Sequence, residues 1–360
     1  MYNLNRMHIL LTGATGFVGR ALAKVLVQNG CKVYATTRYA QTQFSADIQK
    51  CIFDLNDQNT YNALPTKIDG IIHLADGLAA RFEKVKNCIS DETLLKQVSH
   101  TIQLANWAKT YSTAKKFIYI SSLKSMCGET SPYLLTETDT PNPTGNYGRA
   151  KYLAEQALQK AFQTDANALT VLRNPIVHGP GATSHMARLL KIADSPWPLP
   201  IACAKINAKR STIGIENLCH ATATTLEKKI IKSGTYIVSD DEVLSPTEIL
   251  HFFRAALLRE KRFIPLPHWM WSSMGQLPML DKIANRFAKP LVVSNQAFKK
   301  DFDWKPIGST EQSLLRMVMQ YIAEQRENRS FVKHQKLRFL PKGFLNSAKP
   351  KRKHMVTQSF

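Results

Sequence analysis

The sequence predicts an α/β fold whose parallel sheet is doubly wound, with helices covering both of its faces. Short apolar runs rich in β-forming residues alternate with longer amphipathic runs through the first half of the chain. Such alternation is typical of strands that are buried on both faces and joined by helices. A glycine-rich turn separates the first apolar run from the first amphipathic run. Because crossovers in such sheets are nearly always right-handed, the topology follows from the order of the elements.

The clear periodic segments are seven strands and five helices. Gly30 ends the first helix, and the helix near residue 245 has Ser245 as its predicted N-cap and Pro246 as its first residue. The second half of the chain is less regular. The predicted strands span 8–11, 32–36, 50–53, 70–74, 116–121, 169–173 and 235–238. The predicted helices span 19–29, 94–109, 146–162, 245–257 and 310–324.

The charge of the chain is uneven. The formal net charge is +21, and the segment 326–360 holds ten Lys or Arg and one Glu. Its apolar residues follow no sustained period, so we expect a flexible basic tail over these residues. The rest of the positive charge is spread along the chain, which suits either an anionic substrate or simple solubility.

Several classes of protein are disfavoured by the sequence. No apolar run is long enough for a membrane span, the N-terminus does not read as a signal peptide, and no nucleic-acid recognition motif accompanies the charge. The cysteines lack zinc-site spacing, so we expect reduced thiols, no metal and a cytoplasmic location, with Cys51 and Cys88 as candidates for reactive surface thiols. The six cysteines are Cys31, Cys51, Cys88, Cys127, Cys203 and Cys219.

The segment 12–19 reads TGATGFVG and places glycines at 13, 16 and 19 between a strand and a helix. Gly13 permits a tight turn, Gly16 lets the backbone approach a pyrophosphate, and Gly19 lets the helix pack closely on the strand. The amide groups of the helix N-terminus then hold the anion. The motif predicts a dinucleotide-binding turn.

The end of the second strand predicts which dinucleotide is bound. Enzymes that use NAD usually place an acidic residue there for the ribose hydroxyls, but this strand ends without one at Arg38. Arg38 could bind a 2′-phosphate, which favours NADP over NAD. Alternatively, its role could be limited to stacking on the adenine. Asp54 is well placed to contact the adenine amino group.

Tyr147 and Lys151 lie four residues apart at the start of a predicted helix, so their side chains share one face. A nearby ammonium favours the deprotonated form of a phenol, whose ordinary pKa is about 10. Such a phenolate can accept a hydroxyl proton while the adjacent hydride leaves to a nicotinamide. Ser122 follows the strand 116–121, at the edge where ligands bind in open α/β sheets, and can orient the reacting oxygen.

With these parts in place, the chain resembles the extended short-chain dehydrogenase/reductases, and within them the NAD-dependent epimerase/dehydratase family. The resemblance extends to about residue 325. It implies a Rossmann domain over 6–185 with a return segment near 211–240, and a smaller C-terminal substrate-binding lobe over 186–210 and 241–325. The matching motifs are TGATGFVG at 12–19, FDL at 53–55, HLA at 73–75, YISS at 119–122, YGRAK at 147–151, RNPIVHGPG at 173–181, KRSTIGIENL at 209–218 and FKKDFDWKP at 298–306.

The resemblance also implies roles for individual residues. Ser122, Tyr147 and Lys151 would form the catalytic triad, Lys124 would reach the substrate, and Arg210 would bind the diphosphate of a nucleotide sugar. His73 would line the cofactor groove. The cofactor-binding residues would be Gly13, Thr15, Gly16, Phe17, Val18, Gly19, Arg38, Asp54, Leu55, Leu74, Ala75, Tyr147, Lys151, Pro175 and Val177.

The chain departs from the family pattern at several positions. Leu123-Lys124 stands where the 4,6-dehydratases carry an Asp-Glu pair, so dehydration is disfavoured. Gln97 replaces a frequent Asn, and His178 replaces the usual Tyr. The resemblance is nearest to bacterial enzymes of surface polysaccharide synthesis, namely UDP-sugar C4 epimerases and 4-keto-sugar reductases. Arg38 favours the reductase, and membership of the group favours the epimerase.

Two other functions stay open at this point. A reductase of a bulky apolar ketone, of the flavonol or steroid type, would share the triad but would not need Arg210. A non-catalytic cofactor-binding scaffold would need no triad. By resemblance we expect a homodimer through the helices 94–109 and 146–162. The basic tail is either solvated or in weak contact with an anionic membrane surface.

Overall fold

The structure is a computed structural model and describes the greater part of the chain. The described residues are 4–75, 89–163, 168–183, 185–202, 208–228, 233–259, 263–266 and 289–338. The chain divides into two compact units, Met1–Val318 and Met319–Phe360. Among the helices of the described residues, none combines the length and the apolar character that crossing a membrane would need.

A seven-stranded sheet forms the centre of the first unit, and all of its strands are parallel. The strands among the described residues are β1 His8–Thr12, β2 Lys32–Thr37, β3 Ile48–Ile52, β4 Gly70–His73, β5 Lys116–Ser122, β6 Ala168–Asn174, β7 Ile176–His178, β8 Leu199–Ala202, β9 Arg210–Gly214, β10 Gly234–Ile237, β11 Val243–Leu244 and β12 Phe263–Leu266. The order in the sheet is β3-β2-β1-β4-β5-β6-β10, so the chain proceeds outward in opposite directions from the neighbours β1 and β4. Ligands of such sheets bind where the strand order reverses, at the carboxyl edge.

Helices cover both faces of this sheet. The side chains of successive strand residues point to opposite faces, so Leu10 packs in the layer of α2 and α3, whereas Ile9 and Leu11 pack in the layer of α1 and α5. The helices are α1 Phe17–Gln28, α2 Asp91–Tyr111, α3 Gly145–Phe162, α4 His185–Ala193, α5 Ile215–Glu227, α6 Pro246–Ala256, α7 Gln296–Phe302 and α8 Thr310–Arg338. The predicted doubly wound α/β class is therefore confirmed.

Two small sheets lie outside the main one. Strands β7, β9 and β11 form the first, and β8 pairs with β12 in the second. The backbone of residues 289–295 runs between the start of β9 and the loop 131–135. It is hydrogen-bonded to both of these segments. Next to β7 and β9, the buried carboxylate of Asp240 accepts hydrogen bonds from Gly214 N, Asn217 and Thr310 and lies 3.3 Å from His178 Nε2. These contacts connect the end of β7 to the end of β9 and to the first residues of α5 and α8.

Among the described residues, β10 is the last strand of the main sheet, and a side chain occupies part of its outer edge. The carboxylate of Glu137, which lies in a loop, accepts a hydrogen bond of 2.8 Å from Ile237 N. An edge strand otherwise presents unpaired amide groups. Glu137 thus takes the place of an eighth strand at one position of this edge.

The predicted elements are all present, with shifted ends. The third strand lies at Ile48–Ile52 instead of 50–53, and the second helix begins earlier, at Asp91, because Ser90 caps it. The last helix does not end at residue 324 as predicted, since α8 continues to Arg338, and the flexibility of the tail 326–360 stays a prediction. The remainder of that tail lies outside the described residues. The elements that the sequence did not predict are β7, β8, β9, β11, β12, α4, α5 and α7.

The N-terminus of α6 has the predicted cap and provides a test of its contribution to stability. Ser245 Oγ accepts from Glu248 N, and the Glu248 carboxylate accepts from Ser245 N, which together form a capping box. Ser245→Ala should lower the free energy of unfolding by about 1 kcal/mol, measured by urea denaturation at pH 7. Ser99→Ala is the control, because Ser99 lies inside α2 and, among the described residues, its hydroxyl donates to Lys96 O alone. Equal losses in the two variants would contradict the prediction.

Candidate active site

The turn between β1 and α1 requires two of its three glycines for its own packing. Gly13 has a φ of +69°, in the left-handed region, where an L side chain is strained. A Cβ atom on Gly19 would lie 2.2 Å from Gly13 O and 2.7 Å from Ala14 Cα. These glycines therefore let the first turn of α1 lie directly against the end of β1.

Gly16 is not required by the protein itself. Its φ is −75°, and an added Cβ would meet only Gly13 O, at 3.4 Å. Gly16 is the N-cap of α1, and no side chain caps that helix. Thr15 and Gly16 are exposed, while Phe17 and Val18 are half-buried against the core. An uncapped helix N-terminus next to a residue without a side chain fits the pyrophosphate of a dinucleotide.

The ends of β2 and β3 carry the residues predicted to contact the adenosine half of that dinucleotide. Arg38 follows β2 and is exposed, and its guanidinium lies 5.6 Å from the ring centroid of Tyr39. Asp54 and Leu55, just after β3, are half-buried. The Asp54 carboxylate accepts from the backbone and side-chain amides of Asn56. All three predicted residues thus lie at the carboxyl edge of the sheet.

The end of β4 is tied to the end of β1 by a buried histidine. His73 Nδ1 lies 2.7 Å from Thr12 Oγ1, and His73 Nε2 lies 3.2 Å from Thr101 Oγ1. The same Thr12 oxygen accepts from Leu74 N and Ala75 N, at 3.2 and 3.3 Å. Leu74 and Ala75 are therefore held beside the glycine turn, as a cofactor groove requires. The segment that follows Ala75, residues 76–88, lies outside the described residues.

The first turn of α3 packs closely on the segment after β5. A Cβ on Gly148 would lie 2.3 Å from Lys124 O, so only glycine permits this approach. Lys151 is buried, its Nζ donates to Ile120 O at 3.0 Å, and it lies 4.6 Å from the ring centroid of Tyr119. Tyr147 lies one turn earlier and is half-buried.

Ser122 and Lys124 complete a compact group with these two residues. Ser122 ends β5, and its Oγ accepts from Lys124 N at 3.3 Å. The Lys124 ammonium lies 5.8 Å from the ring centroid of Tyr147 and 3.7 Å from Glu129 Oε1. The structure therefore brings together Ser122, Lys124, Tyr147 and Lys151 at the carboxyl end of β5.

The guanidinium of Arg210 is not exposed; it donates to backbone carbonyl groups, one of which belongs to a neighbour of this group. It is buried, and it donates to Lys289 O at 3.1 Å and to Glu129 O. Glu129 is also the residue whose carboxylate pairs with Lys124. The diphosphate contact predicted for Arg210 stays a prediction.

No role was predicted from the sequence for three residues near this group, namely Asn174, Glu155 and Arg173, although Arg173 and Asn174 lie in the motif RNPIVHGPG at 173–181. Asn174 Oδ1, at the end of β6, is buried without a hydrogen-bond partner in the described part of the chain. Its neighbour Pro175 is buried, and Val177 is half-buried. Glu155 and Arg173 form a buried ion pair of 2.7 Å below the group. The spacing of Glu155, one helical turn after Lys151, was the signal available for it.

The described cysteines are buried, which bears on the thiol chemistry considered earlier. Cys51 is not a surface thiol, because burial shields it and raises its pKa. Burial likewise raises the pKa of Cys127, which lies near the site, to about 11. Thiolate chemistry is disfavoured at both positions. Cys88 lies outside the described residues.

Comparison with known proteins agrees with this arrangement. Residues 9–238 match the NAD dependent epimerase/dehydratase family. The chain belongs to this family. A UDP-glucose 4-epimerase of Vibrio cholerae is 30% identical over 308 residues, which cover 83% of this chain and 90% of that protein. Members of the NAD-dependent epimerase/dehydratase family are enzymes of the oxidoreductase type, and the expected resemblance is confirmed.

Solved structures of epimerases share the fold. The UDP-glucose 4-epimerase of Thermotoga maritima, determined with UDP-glucose, has a TM-score of 0.67 at 18% identity and covers 89% of this chain and 100% of its own. A UDP-glucuronic acid 4-epimerase of Bacillus cereus in complex with NAD has a TM-score of 0.68 at 19% identity and covers 87% of this chain and 98% of its own. These similarities confirm the Rossmann-like α/β fold of this chain.

The two glycines of the turn should respond differently to substitution. Gly16→Ala should leave the melting temperature within a few degrees of wild type but weaken cofactor binding about ten-fold or more, since a methyl group would enter the space for the pyrophosphate. Gly19→Ala should lower the melting temperature strongly, because its Cβ meets backbone at 2.2 Å. Calorimetric titration with NAD and NADP and a thermal melt check both. Equal cofactor affinity of Gly16→Ala and wild type would contradict the assignment of this turn to the pyrophosphate.

Proposed function

We propose that this chain is an NAD(P)-dependent enzyme acting at C4 of a nucleotide sugar, with a UDP-sugar 4-epimerase as the best-supported activity. The observation that carries the proposal is the packing of Tyr147 and Lys151 against the end of β5, beside Ser122. The relative of Vibrio cholerae supports the epimerase, because its similarity extends over 90% of that protein.

In this proposal Tyr147 moves the proton. Its phenolate accepts the proton of the C4 hydroxyl while the C4 hydride leaves, and a 4-keto sugar results. The bound dinucleotide would supply the hydride acceptor and donor. After the keto sugar turns its other face, hydride returns to C4 and Tyr147 gives the proton back. Protons and electrons balance over the cycle, so the cofactor is not consumed.

Lys151 and Ser122 prepare this transfer. Ile120 O and the Tyr119 ring fix the buried ammonium of Lys151 one helical turn after Tyr147, where its charge favours the phenolate. The hydroxyl of Ser122 donates to the reacting oxygen and keeps it in line with Tyr147. Lys124, whose ammonium lies 5.8 Å from the Tyr147 ring centroid, would contact the substrate.

Dehydration is disfavoured because the position after Ser122 carries no acid. Leu123 is buried in a small apolar cluster with Met126 and Cys127. A 4,6-dehydratase needs an acid and a base to remove water from the sugar. The burial of Leu123 therefore supports chemistry that is confined to C4.

A 4-keto-sugar reductase is the second candidate, and Arg38 favours it. Arg38 is exposed at the end of β2, where an acidic residue would favour NAD. An arginine there suits the 2′-phosphate of NADP, the cofactor that a reductase consumes once per turnover. In either case we propose that the enzyme serves the synthesis of surface polysaccharide sugars.

Further proposals concern the organisation of the protein. We propose the two-lobe division of the chain, with a substrate-binding lobe over 186–210 and 241–325. We also propose a homodimer through α2 and α3, and α2 exposes Leu95 and Tyr111. The ten basic residues beyond residue 325 support weak contact of the tail with anionic membrane surfaces.

Turnover of defined sugars tests the proposed activity. Purified protein is incubated with UDP-glucose, UDP-N-acetylglucosamine and a UDP-4-keto-6-deoxy sugar, with NADH, NADPH or neither. Products are followed by NMR, and cofactor oxidation by absorbance. Interconversion at C4 without net cofactor use is the expected result. NADPH oxidation with the keto sugar alone would replace the epimerase by the reductase. If no sugar reacts and UDP does not stabilise the protein, the nucleotide-sugar proposal fails and an apolar-ketone reductase becomes the better hypothesis.

Removal of one hydroxyl tests the role of Tyr147. Tyr147→Phe should lower kcat by about 100-fold or more while KM changes little, because proton transfer is lost and substrate contacts are kept. Tyr152→Phe is the matched control, since Tyr152 lies on the same helix and its hydroxyl accepts only from Gln156 among the described contacts. Similar activities of the two variants would exclude Tyr147 as the proton carrier.

A further inference from the structure

The buried ion pair of Glu155 and Arg173 connects three segments that meet below the proposed active site. Glu155 lies on α3, one helical turn after Lys151 and two turns after Tyr147. Arg173 lies on β6, directly before Asn174 and Pro175. Both side chains are buried, at 1% and 5% exposure, so water does not weaken their attraction.

The Glu155 carboxylate also holds the segment that carries Ser122 and Lys124. Its Oε1 accepts from Ser125 Oγ at 2.6 Å and from Ser121 Oγ. Ser125 Oγ lies 2.8 Å from Ser122 O as well. The two serines therefore attach the residues on either side of Ser122 to one buried carboxylate.

Arg173 completes the arrangement from the other side. Its Nη2 donates to Glu155 Oε2 at 2.7 Å, and its Nε is shared between Oε2 at 3.1 Å and Oε1 at 3.3 Å, so both carboxylate oxygens are bonded to the guanidinium. Arg173 is paired in register with Ser121, and Asn174 with Ser122. A shift of this carboxylate would thus move α3, the end of β5 and the end of β6 relative to one another.

We propose that Glu155, through Ser121, Ser125 and Arg173, is a positioning residue that sets the distance between Ser122 and the Tyr147–Lys151 pair. This proposal rests on the proposed function, because it assigns Glu155 a role in the same proton transfer. Glu155 touches neither the substrate nor the reacting atoms in this scheme. Its effect is on kcat, since misplacement of reacting groups by about 1 Å lowers turnover while binding is kept.

A second site in the chain provides a matched control. Ser313 is buried and donates to Glu216 Oε2 at 2.9 Å, and Arg316 Nε donates to Glu216 Oε1 at 2.9 Å. This group repeats the Ser–Glu–Arg chemistry without contact to Ser122, Tyr147 or Lys151 in the described residues. Ser313→Ala removes the same kind of hydrogen bond as Ser125→Ala.

Steady-state kinetics tests the proposal. Ser125→Ala should lower kcat about ten-fold at unchanged KM, whereas Ser313→Ala should keep kcat within two-fold of wild type at a similar change in melting temperature. Glu155→Gln should lower kcat further than Ser125→Ala. If Ser125→Ala keeps the wild-type kcat, or if Ser313→Ala loses as much activity, the positioning role is refuted.

Hydrogen exchange separates failure of this inference from failure of the proposed activity. If the wild-type protein turns over no UDP-sugar, the proposed function fails. Exchange at the amides of residues 122–127 still reports whether Ser125 holds this segment against the Glu155 carboxylate. Exchange there should be faster in Ser125→Ala than in wild type and unchanged in Ser313→Ala. Equal exchange in all three proteins would overturn the inference.

Discussion

The common direction of the seven central strands is the constraint on which the site depends. Because every strand of the sheet runs the same way, every carboxyl end opens on one edge. The glycine turn after β1, Arg38 after β2, Ala75 after β4 and Ser122 at the end of β5 lie far apart in sequence but share that edge. If β4, which lies between β1 and β5, ran in the opposite direction, Ala75 would lie at the other edge of the sheet.

The edge is made rigid by polar groups buried just beneath it. Thr12 and His73 fix the ends of β1 and β4, and the Glu155 carboxylate fixes the end of β5 against α3 and β6. Such groups cost free energy to bury, and this cost is offset only when their hydrogen bonds are satisfied. Their satisfied partners define one arrangement of the strand ends, which apolar packing alone would define less sharply.

The sequence predicted the central sheet and the proposed triad because both have local signals. Glycine spacing, short apolar runs and the four-residue spacing of Tyr147 and Lys151 are visible without a structure. The small strands β7 and β9 were missed because β7 has only three residues and β9 begins with the polar residues Arg210, Ser211 and Thr212, so neither forms an apolar run. Glu155 was missed for a related reason. Its partners Ser121 and Arg173 come from other elements, and a glutamate on a helix usually faces solvent. The end of α8 was misjudged because its polar composition hides its helical form.

The side chain of Glu137 at the edge of β10 has a consequence for association between molecules. A sheet whose last strand is open can be extended by a strand of another molecule, and this is a route to aggregation. The acceptor on Glu137 already satisfies Ile237 N, and its carboxylate places charge where an incoming strand would lie. A foreign strand would have to displace this side chain and leave a carboxylate beside its own carbonyl groups. At this position Glu137 thus disfavours extension of the sheet by a strand of another molecule.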